Sequence, residues 1–115
     1  MTLYKPTAVV LVRFPFTDLS SIKKRPAVVI NTEEYNERYG DVIIVPLTSV
    51  DQKDESLRLS YWKESGLIKS TWIKPLVATV TNSLIERELG HLHQDDTMCI
   101  RVALRQIFAR FIWEV

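Results

Sequence analysis

Two neighbouring segments near the N-terminus decide which fold this sequence encodes. The first is Phe14-Pro15-Phe16-Thr17-Asp18, and the second is Lys23-Lys24-Arg25-Pro26-Ala27-Val28-Val29-Ile30. The second segment passes directly from three cations into an apolar strand, so Arg25 is expected at the start of that strand, held rigidly with its guanidinium facing solvent. A cationic cluster with a planar guanidinium at such a junction suits phosphate as a partner.

The sequence around these segments predicts a series of short β-strands. They are recognised by runs of apolar and β-branched residues between turn-forming residues. Pro26 lacks an amide hydrogen, so it should lie at the start or at an edge of its strand. Up to six short strands at this spacing predict a small barrel. The expected strands are Thr7–Phe14, Arg25–Asn31, Asp41–Leu47, Leu57–Tyr61, Ile68–Lys74 and Val77–Val80.

Two segments have helical patterns. Asn31-Thr32-Glu33-Glu34 has the spacing of a capping box and predicts a short helix that ends at Gly40. Near the C-terminus, one apolar face at helical spacing predicts an amphipathic helix that serves either the barrel core or a dimer interface. This face consists of Ile100, Ala103, Leu104, Ile107, Phe108 and Phe111.

Length and composition are those of one globular domain. The 115 residues are 46% hydrophobic and 25% charged, which predicts a single domain over residues 1–115. The longest apolar runs are far shorter than the roughly 20 residues that span a bilayer, so no membrane association is expected. The N-terminus lacks the pattern of a signal peptide, and the single cysteine, Cys99, cannot form an internal disulfide. These features predict a cytoplasmic protein.

Positive charge is concentrated locally, although the net charge is only +1. Residues 1–30 contain five Lys and Arg against one Asp, whereas residues 31–60 contain three against seven acidic residues. A polyanion bound by the N-terminal cluster would therefore make few phosphate contacts and show a shallow dependence on salt.

Together with Val45-Pro46-Leu47-Thr48-Ser49, the two N-terminal segments resemble the PemK/MazF family of toxin endoribonucleases. The resemblance extends from Thr7 through the last helix. It implies a mostly β fold, a small SH3-like barrel of about six to seven strands with a C-terminal helix. It also implies the toxin component of a type II toxin–antitoxin system, an mRNA interferase that cleaves single-stranded RNA at specific sequences without a metal ion.

The resemblance further implies two catalytic residues. Arg25 matches the arginine of the family's Arg-Pro pair, where it would stabilise charge on the phosphoryl oxygens. Thr48 matches the threonine that acts with this arginine, either orienting the ribose 2′-OH or donating to a nonbridging oxygen. The residues alone leave simpler roles open, because three cations before a strand also form solvated turns, and Thr or Ser at a strand end also satisfies nearby backbone groups.

Six further residues are candidates for RNA binding, by hydroxyl groups, by charge or by stacking. Phe16 is expected either to stack on a base or to fill the end of the barrel. No cofactor and no metal site are expected, since His91 and His93 supply two ligands at most and the three glycines are too scattered for a phosphate-binding loop. The candidates are Phe16, Thr17, Lys23, Lys24, Ser49 and Lys74.

Two departures from the family pattern keep an alternative function open. Some relatives use a loop histidine and a later Arg-x-Asp, whereas this chain has no histidine between Pro15 and Lys24 and has Ile73-Lys74-Pro75 in the later segment. The alternative is a non-catalytic SH3-like barrel module that binds RNA or a peptide.

The resemblance also implies partners for this chain. The expected assembly is a homodimer that is neutralised by a cognate antitoxin, a small protein with an acidic or disordered tail. DNA binding is expected for the toxin in complex with that antitoxin.

Overall fold

The computed structural model of the chain describes residues 2–15 and 22–113. In these ranges the chain forms six β-strands, two α-helices and two single 3₁₀ turns, Glu55–Leu57 and Asn82–Leu84. The predicted fold class, mostly β with a C-terminal helix, is confirmed. The elements are β1 Ala8–Pro15, β2 Ile22–Val29, α1 Glu33–Tyr39, β3 Asp41–Thr48, β4 Trp72–Ile73, β5 Ala78–Thr81, β6 Ile85–His91 and α2 Gln94–Trp113.

The six strands form one antiparallel arrangement. Four strands, β3, β2, β1 and β6, follow one another in the sheet, and β4 and β5 both pair with β3. The residues Asp41–Ile44 of β3 pair with β5, while Leu47 and Thr48 pair with β4, so β4 and β5 share one edge of β3. Within the described residues, backbone pairing does not close the sheet into a complete barrel.

Both faces of the sheet bury apolar side chains. Successive residues of a strand point to opposite faces, and Val9 and Val10 of β1 accordingly belong to two different buried clusters. The first cluster includes Val10, Val29 and Ile44, and the second includes Val9 and residues from α2. Burial on both faces explains why β1 is apolar almost throughout, and each large aliphatic side chain buried this way contributes about 1.5–3 kcal/mol.

Helix α1 begins one residue later than the sequence predicts. The side chain of Thr32, not Asn31, caps the helix by accepting a hydrogen bond from the Tyr35 amide at 3.2 Å. Asn31 is used elsewhere, since its Oδ1 accepts from the Ile43 amide at 2.8 Å. The predicted end is confirmed, because Gly40 terminates the helix with a φ of 66°.

Three strand predictions need correction. The strand expected at Arg25–Asn31 is Ile22–Val29, so Arg25 and Pro26 lie inside β2 and not at its start, because the cationic residues before them also pair with β1. The expected strand Leu57–Tyr61 is reduced to an isolated bridge between Arg58 and Trp72. The physical reason is that the amides of Ser60 and Tyr61 donate to the carboxylate of Asp96 on α2, each at 2.9 Å, and so do not join a ladder. The expected strand Ile68–Lys74 is confined to Trp72–Ile73, which is β4.

Strand β6 was missing from the strands predicted by pattern. It contains three consecutive charged residues, Glu86, Arg87 and Glu88, which conceal the alternation that identifies a half-buried strand. Charged side chains are common on strands at a sheet edge, where they discourage pairing with other chains. In the described part of the chain β6 pairs with β1 alone, which fits such an edge position.

The two halves of α2 lie in different environments. Ile100 and Ala103 are buried, Ile100 in the second core cluster, whereas Ile107, Phe108, Phe111 and Ile112 are exposed, with Phe111 at 91%. The first half therefore serves the core, and the second half presents an apolar surface. Among the described residues, none of the helices combines the length and apolar character that a membrane crossing requires.

Candidate functional site

The register between β2 and β3 places the two predicted catalytic residues opposite each other. Ala27 pairs with Pro46, and the two preceding pairs, Val28 with Val45 and Val29 with Ile44, follow the same antiparallel register. When this register is extended by two residues, Arg25 lies across from Thr48. Two residues separated by more than twenty positions in sequence, one inside β2 and one at the end of β3, thus line the same cavity.

A cavity begins where the pairing of β2 with β3 ends. Pro26 has no amide hydrogen to donate toward β3, and the regular pairing of β2 with β3 stops at the preceding pair, Ala27 with Pro46. Beyond the last pair, the cavity has a volume of about 660 Å³, and both Arg25 and Thr48 line it. The Arg-Pro sequence therefore lies where the pairing ends and the cavity begins.

The cavity wall is strongly cationic. Lys23, Lys24, Arg25, Lys69 and Arg87 all line it, and no Asp or Glu is among the lining residues that the structure describes. A cavity with this lining favours a ligand that carries phosphate groups.

Two of these cations were missed by the sequence analysis. Arg87 reaches the cavity because β6 pairs with β1, with Arg87 opposite Leu11. Lys69 lies on the segment before β4. Neither residue belongs to a motif, and their isolated positive charge was the one available signal, which is too common on protein surfaces to identify a site.

Thr48 is held in place by a local hydrogen bond. Its Oγ1 accepts from the Val50 amide at 3.1 Å, and the residue is only 8% exposed. This is the simple structural role that the sequence left open. The role does not exclude a second one, because a hydroxyl that accepts one hydrogen bond still has its own proton to donate.

Glu86 on β6 moderates the charge at the cavity rim. Its Oε1 lies 2.7 Å from Nζ of Lys24. The hydrogen bond from Lys24, with smaller contributions from the charges of Arg13 and Arg87, lowers the pKa of the Glu86 carboxyl. Glu86 is therefore ionised at neutral pH and offsets part of the charge of Lys24.

The structure groups five of the eight predicted site residues in one place. Arg25, Thr48, Lys23, Lys24 and Ser49 all line the cavity. Of the other three, Lys74 lies outside this wall, and Phe16 and Thr17 fall outside the described residues.

Lys74 is not part of the cavity wall. It follows β4, its side chain is exposed, and its amide donates to the Pro46 carbonyl at 3.0 Å. Its contact with RNA stays a prediction. Phe16 and Thr17 lie outside the described residues, so their predicted roles stay predictions as well.

A tight contact between two glycines fixes the wall opposite β2. Gly66 has a φ of 86°, and a Cβ added to it would lie 2.1 Å from the carbonyl oxygen of Leu89. A Cβ on Gly90 would likewise lie 2.6 Å from the carbonyl oxygen of Ser65. Both positions require glycine, and the contact holds the segment that begins at Gly66 against β6.

A second depression lies along α2 and has the opposite character. This groove has a volume of about 500 Å³ and is lined by apolar side chains of α2, among them Met98 and Val102, together with the carboxylates of Asp54 and Asp95. No Lys or Arg is among its described lining residues. Burial, reinforced by the charges of Asp96 and Asp95, raises the pKa of the Cys99 thiol in this groove.

The two histidines have structural surroundings. His93 stacks on Tyr61, with 3.7 Å between ring centroids, and its Nδ1 accepts a hydrogen bond from the Asp95 amide at 3.0 Å, which caps α2. His91 lies 4.0 Å from the carboxylate of Glu88. Across residues 2–15 and 22–113, no three His, Cys, Asp or Glu side chains are grouped in a way that could hold a metal ion.

Comparison with known families gives one match. The model of the family described as PemK-like, MazF-like toxin of type II toxin-antitoxin system matches residues 5–108. No curated protein matches the sequence.

Several solved structures share the fold. A MazE–MazF complex from Deinococcus radiodurans superposes with a TM-score of 0.77 at 16% identity, covering 94% of this chain and 98% of that chain. An endoribonuclease in complex with its cognate antitoxin, from a mycobacterial species, has a TM-score of 0.73 at 14% identity over 95% and 96%. The Mycobacterium tuberculosis toxin MazF-mt6 has a TM-score of 0.71 at 14% identity over 89% and 96%. At these identities, the likeness is one of fold.

Proposed function

Because the chain belongs to the family of PemK-like, MazF-like toxins of type II toxin–antitoxin systems, a family of RNA-cleaving endonucleases, we propose that it cleaves single-stranded RNA at specific sequences without a metal ion. The proposal covers the whole chain, residues 1–115, as one toxin domain that acts on RNA in the cytoplasm. The main observation in support of this proposal is that Arg25 and Thr48 line the same cavity.

The proposed reaction is an internal transesterification. The ribose 2′-oxygen forms a bond to the adjacent phosphorus while the bond from phosphorus to the 5′-oxygen breaks. The 2′-OH loses its proton and the departing 5′-oxygen gains one, which leaves a cyclic phosphate and a 5′-OH. Negative charge accumulates on the nonbridging oxygens during this step, so cationic and hydroxyl donors aimed at them lower the barrier.

Arg25 and Thr48 supply these donors in our proposal. The guanidinium of Arg25 is always charged and presents several N–H groups in one plane to the phosphoryl oxygens. Thr48, whose oxygen is fixed by the Val50 amide, donates its hydroxyl proton to a nonbridging oxygen or orients the 2′-OH. Lys23, Lys24 and Ser49 bind neighbouring phosphates, as do Lys69 and Arg87.

The proposed partners follow from the same family. Structures with this fold include complexes of a toxin with its antitoxin, and we infer that this chain has a cognate antitoxin with an acidic or disordered tail. An acidic tail complements the cationic cavity by charge. The exposed Ile107, Phe108 and Phe111 on the second half of α2 support a homodimer, since apolar surface of this kind is typical of interfaces.

The test is cleavage of a long single-stranded RNA by the purified protein in excess EDTA, compared with the same reaction in Mg²⁺. We expect equal cleavage at the same sequences in both, with cyclic phosphate ends. An Arg25→Ala variant purified identically controls for contaminating nuclease. Cleavage that needs Mg²⁺ would contradict metal independence, and intact RNA in both reactions would contradict nuclease activity.

One observation favours a second candidate, a non-catalytic module that binds RNA or a peptide. No histidine and no carboxylate is among the described residues that line the cavity, so this wall contains no side chain suited to accept the 2′-OH proton at neutral pH. RNA that stays intact in the experiment above, but binds with micromolar or better affinity in a separate titration, would support this candidate.

A further inference from the structure

One apolar side chain on the wall of the cavity is almost fully exposed. Ile68 lines the cavity and is 91% exposed, although isoleucine is among the residues most often buried. Its neighbour Leu67 packs against the second core cluster, so the segment has a buried apolar anchor already. Folding does not account for the position of Ile68.

The segment that presents Ile68 is firmly held at both ends. At one end, Gly66 packs against Leu89 so closely that it admits no side chain, and the Leu67 amide donates to the Trp62 carbonyl at 3.1 Å. At the other end, the Thr71 hydroxyl donates to the Lys69 carbonyl at 2.8 Å, and the Thr71 carbonyl accepts from the Leu59 amide. The side chain of Ile68 is exposed on a rigid support.

The surroundings of Ile68 indicate what it contacts. Lys69, the next residue, lines the same cavity, as do Arg25 and Thr48. The cavity therefore combines cations suited to a phosphodiester backbone with an aliphatic side chain that is almost fully exposed. In a single-stranded nucleic acid, phosphates alternate with bases, whose flat faces pack on apolar side chains.

We propose that Ile68 determines the base preference of the RNA cleavage that is proposed for this chain, by packing against the face of a base next to the scissile phosphate. The inference rests on that proposed function. An aliphatic side chain offers no hydrogen bonds, so it ranks bases by the area they cover. Ile68 thus favours a purine over a pyrimidine at its position, while Lys69 holds an adjoining phosphate.

The experiment uses Ile68→Ala and Ile68→Asn in two readouts. In the first, each protein cleaves a single-stranded RNA with a randomised segment, and the cleaved ends are sequenced. In the second, fluorescence anisotropy gives the affinities for 2′-O-methyl hexamers of adenosine and of uridine, which cannot be cleaved. Leu76→Ala is the matched control, because Leu76 is an exposed aliphatic residue that is not part of the cavity wall.

We expect wild type and Leu76→Ala to prefer a purine at one position beside the cleaved bond. Both Ile68 variants should reduce that preference about fivefold to tenfold, and should reduce the adenosine-to-uridine affinity ratio of the hexamers by a similar factor. Cleavage at the best remaining sites should continue. An unchanged sequence profile in the Ile68 variants, or a wild-type preference for pyrimidines at every flanking position, overturns the inference while the nuclease function stands.

The two readouts separate the inference from its premise. If wild type does not cleave but Ile68→Ala still reduces the adenosine-to-uridine affinity ratio, the nuclease proposal fails and the base contact of Ile68 stands. If neither cleavage nor binding of the hexamers occurs, both are overturned.

Discussion

The cationic cavity and the groove along α2 lie on one small domain, yet they have opposite chemistry. The cavity has five Lys and Arg on its wall and no acidic residue among the described ones, whereas the groove has two carboxylates, apolar side chains and no described cation. The chain as a whole has a net charge of +1. Net charge therefore conceals a separation that directs a polyanion to one place and away from another.

Hydrogen bonds also connect the helix that forms the groove to the chain that leads into the cavity wall. Asp96 on α2, the helix that forms the groove, accepts both hydrogen bonds from Ser60 and Tyr61. These residues precede the segment that continues to Gly66 and Ile68 in the cavity wall. The chain between β3 and β4, which has little regular structure, is thus fixed to the helix on one side and to β6 on the other.

The largest effect is expected from removing one hydroxyl from the cavity. Thr48→Val keeps the shape of the side chain but removes its hydroxyl, which also accepts from the Val50 amide. We expect RNA cleavage to slow by about 10²-fold, the typical effect of one lost transition-state donor. Single-turnover cleavage rates measure it. Thr79→Val is the control, since Thr79 is an exposed threonine on β5, and a similar loss there would contradict a specific role for Thr48.

The next largest effect is expected from removing the hydrogen bonds that Asp96 of α2 accepts from the Ser60 and Tyr61 amides. Asp96→Ala leaves two amides without their acceptor, and we expect the free energy of unfolding to fall by about 2–4 kcal/mol. Urea denaturation monitored by Trp fluorescence measures the change. Asp95→Ala removes an exposed carboxylate from the same helical turn and should cost no more than about 0.5 kcal/mol; equal losses in both variants would show that helix charge, not the Asp96 contacts, is responsible.

A smaller effect tests the cationic wall by salt dependence. Lys69→Gln should lower the slope of log affinity against log salt for single-stranded RNA by about 0.7, the contribution of one phosphate contact. Binding titrations at several salt concentrations give the slope. Lys5→Gln, which changes an exposed lysine outside the cavity, should leave the slope unchanged.

The smallest effect tests the anionic character of the groove. Since burial and the two aspartates raise the pKa of the Cys99 thiol, less of it is thiolate at a given pH than in a free thiol, whose pKa is about 8.5. Alkylation by iodoacetamide should therefore be slower than that of glutathione at pH 8, with the midpoint of its pH dependence shifted upward. Asp95→Asn should move the midpoint partly back, and a midpoint at or below that of glutathione would contradict this description.

Sequence patterns predicted the elements whose signals are local. The apolar run of β1, the Gly40 end of α1 and the helical spacing of α2 depend on neighbouring residues, and each is confirmed. The strand expected at Leu57–Tyr61 failed because its amides bond to Asp96, far away in sequence. Strand β6 was missed because its three consecutive charged residues conceal the alternation of apolar and polar residues.

The residues of the candidate site also form two groups, those predicted from local sequence motifs and those placed there only by tertiary packing. Arg25 and Thr48 were chosen from short motifs, and the strand register then placed both on one cavity. Lys69, Arg87 and Ile68 have no motif around them, and nothing in the sequence separates an exposed isoleucine from a buried one.

The sequence by itself located β2 and β3, because prolines and β-branched residues act through their own backbone geometry, although β2 begins at Ile22 and not at the expected Arg25. It thereby indicated that a hydroxyl lies at the end of β3 and that a guanidinium lies beside Pro26, where the pairing of β2 with β3 ends. The tertiary structure alone decided that these ends face Lys69, Arg87 and Ile68 across one cavity, since that depends on a contact between Gly66 and Leu89 that arises only once β6 has paired with β1. Local conformation follows from neighbouring residues, whereas the composition of a cavity follows from which distant surfaces can pack together.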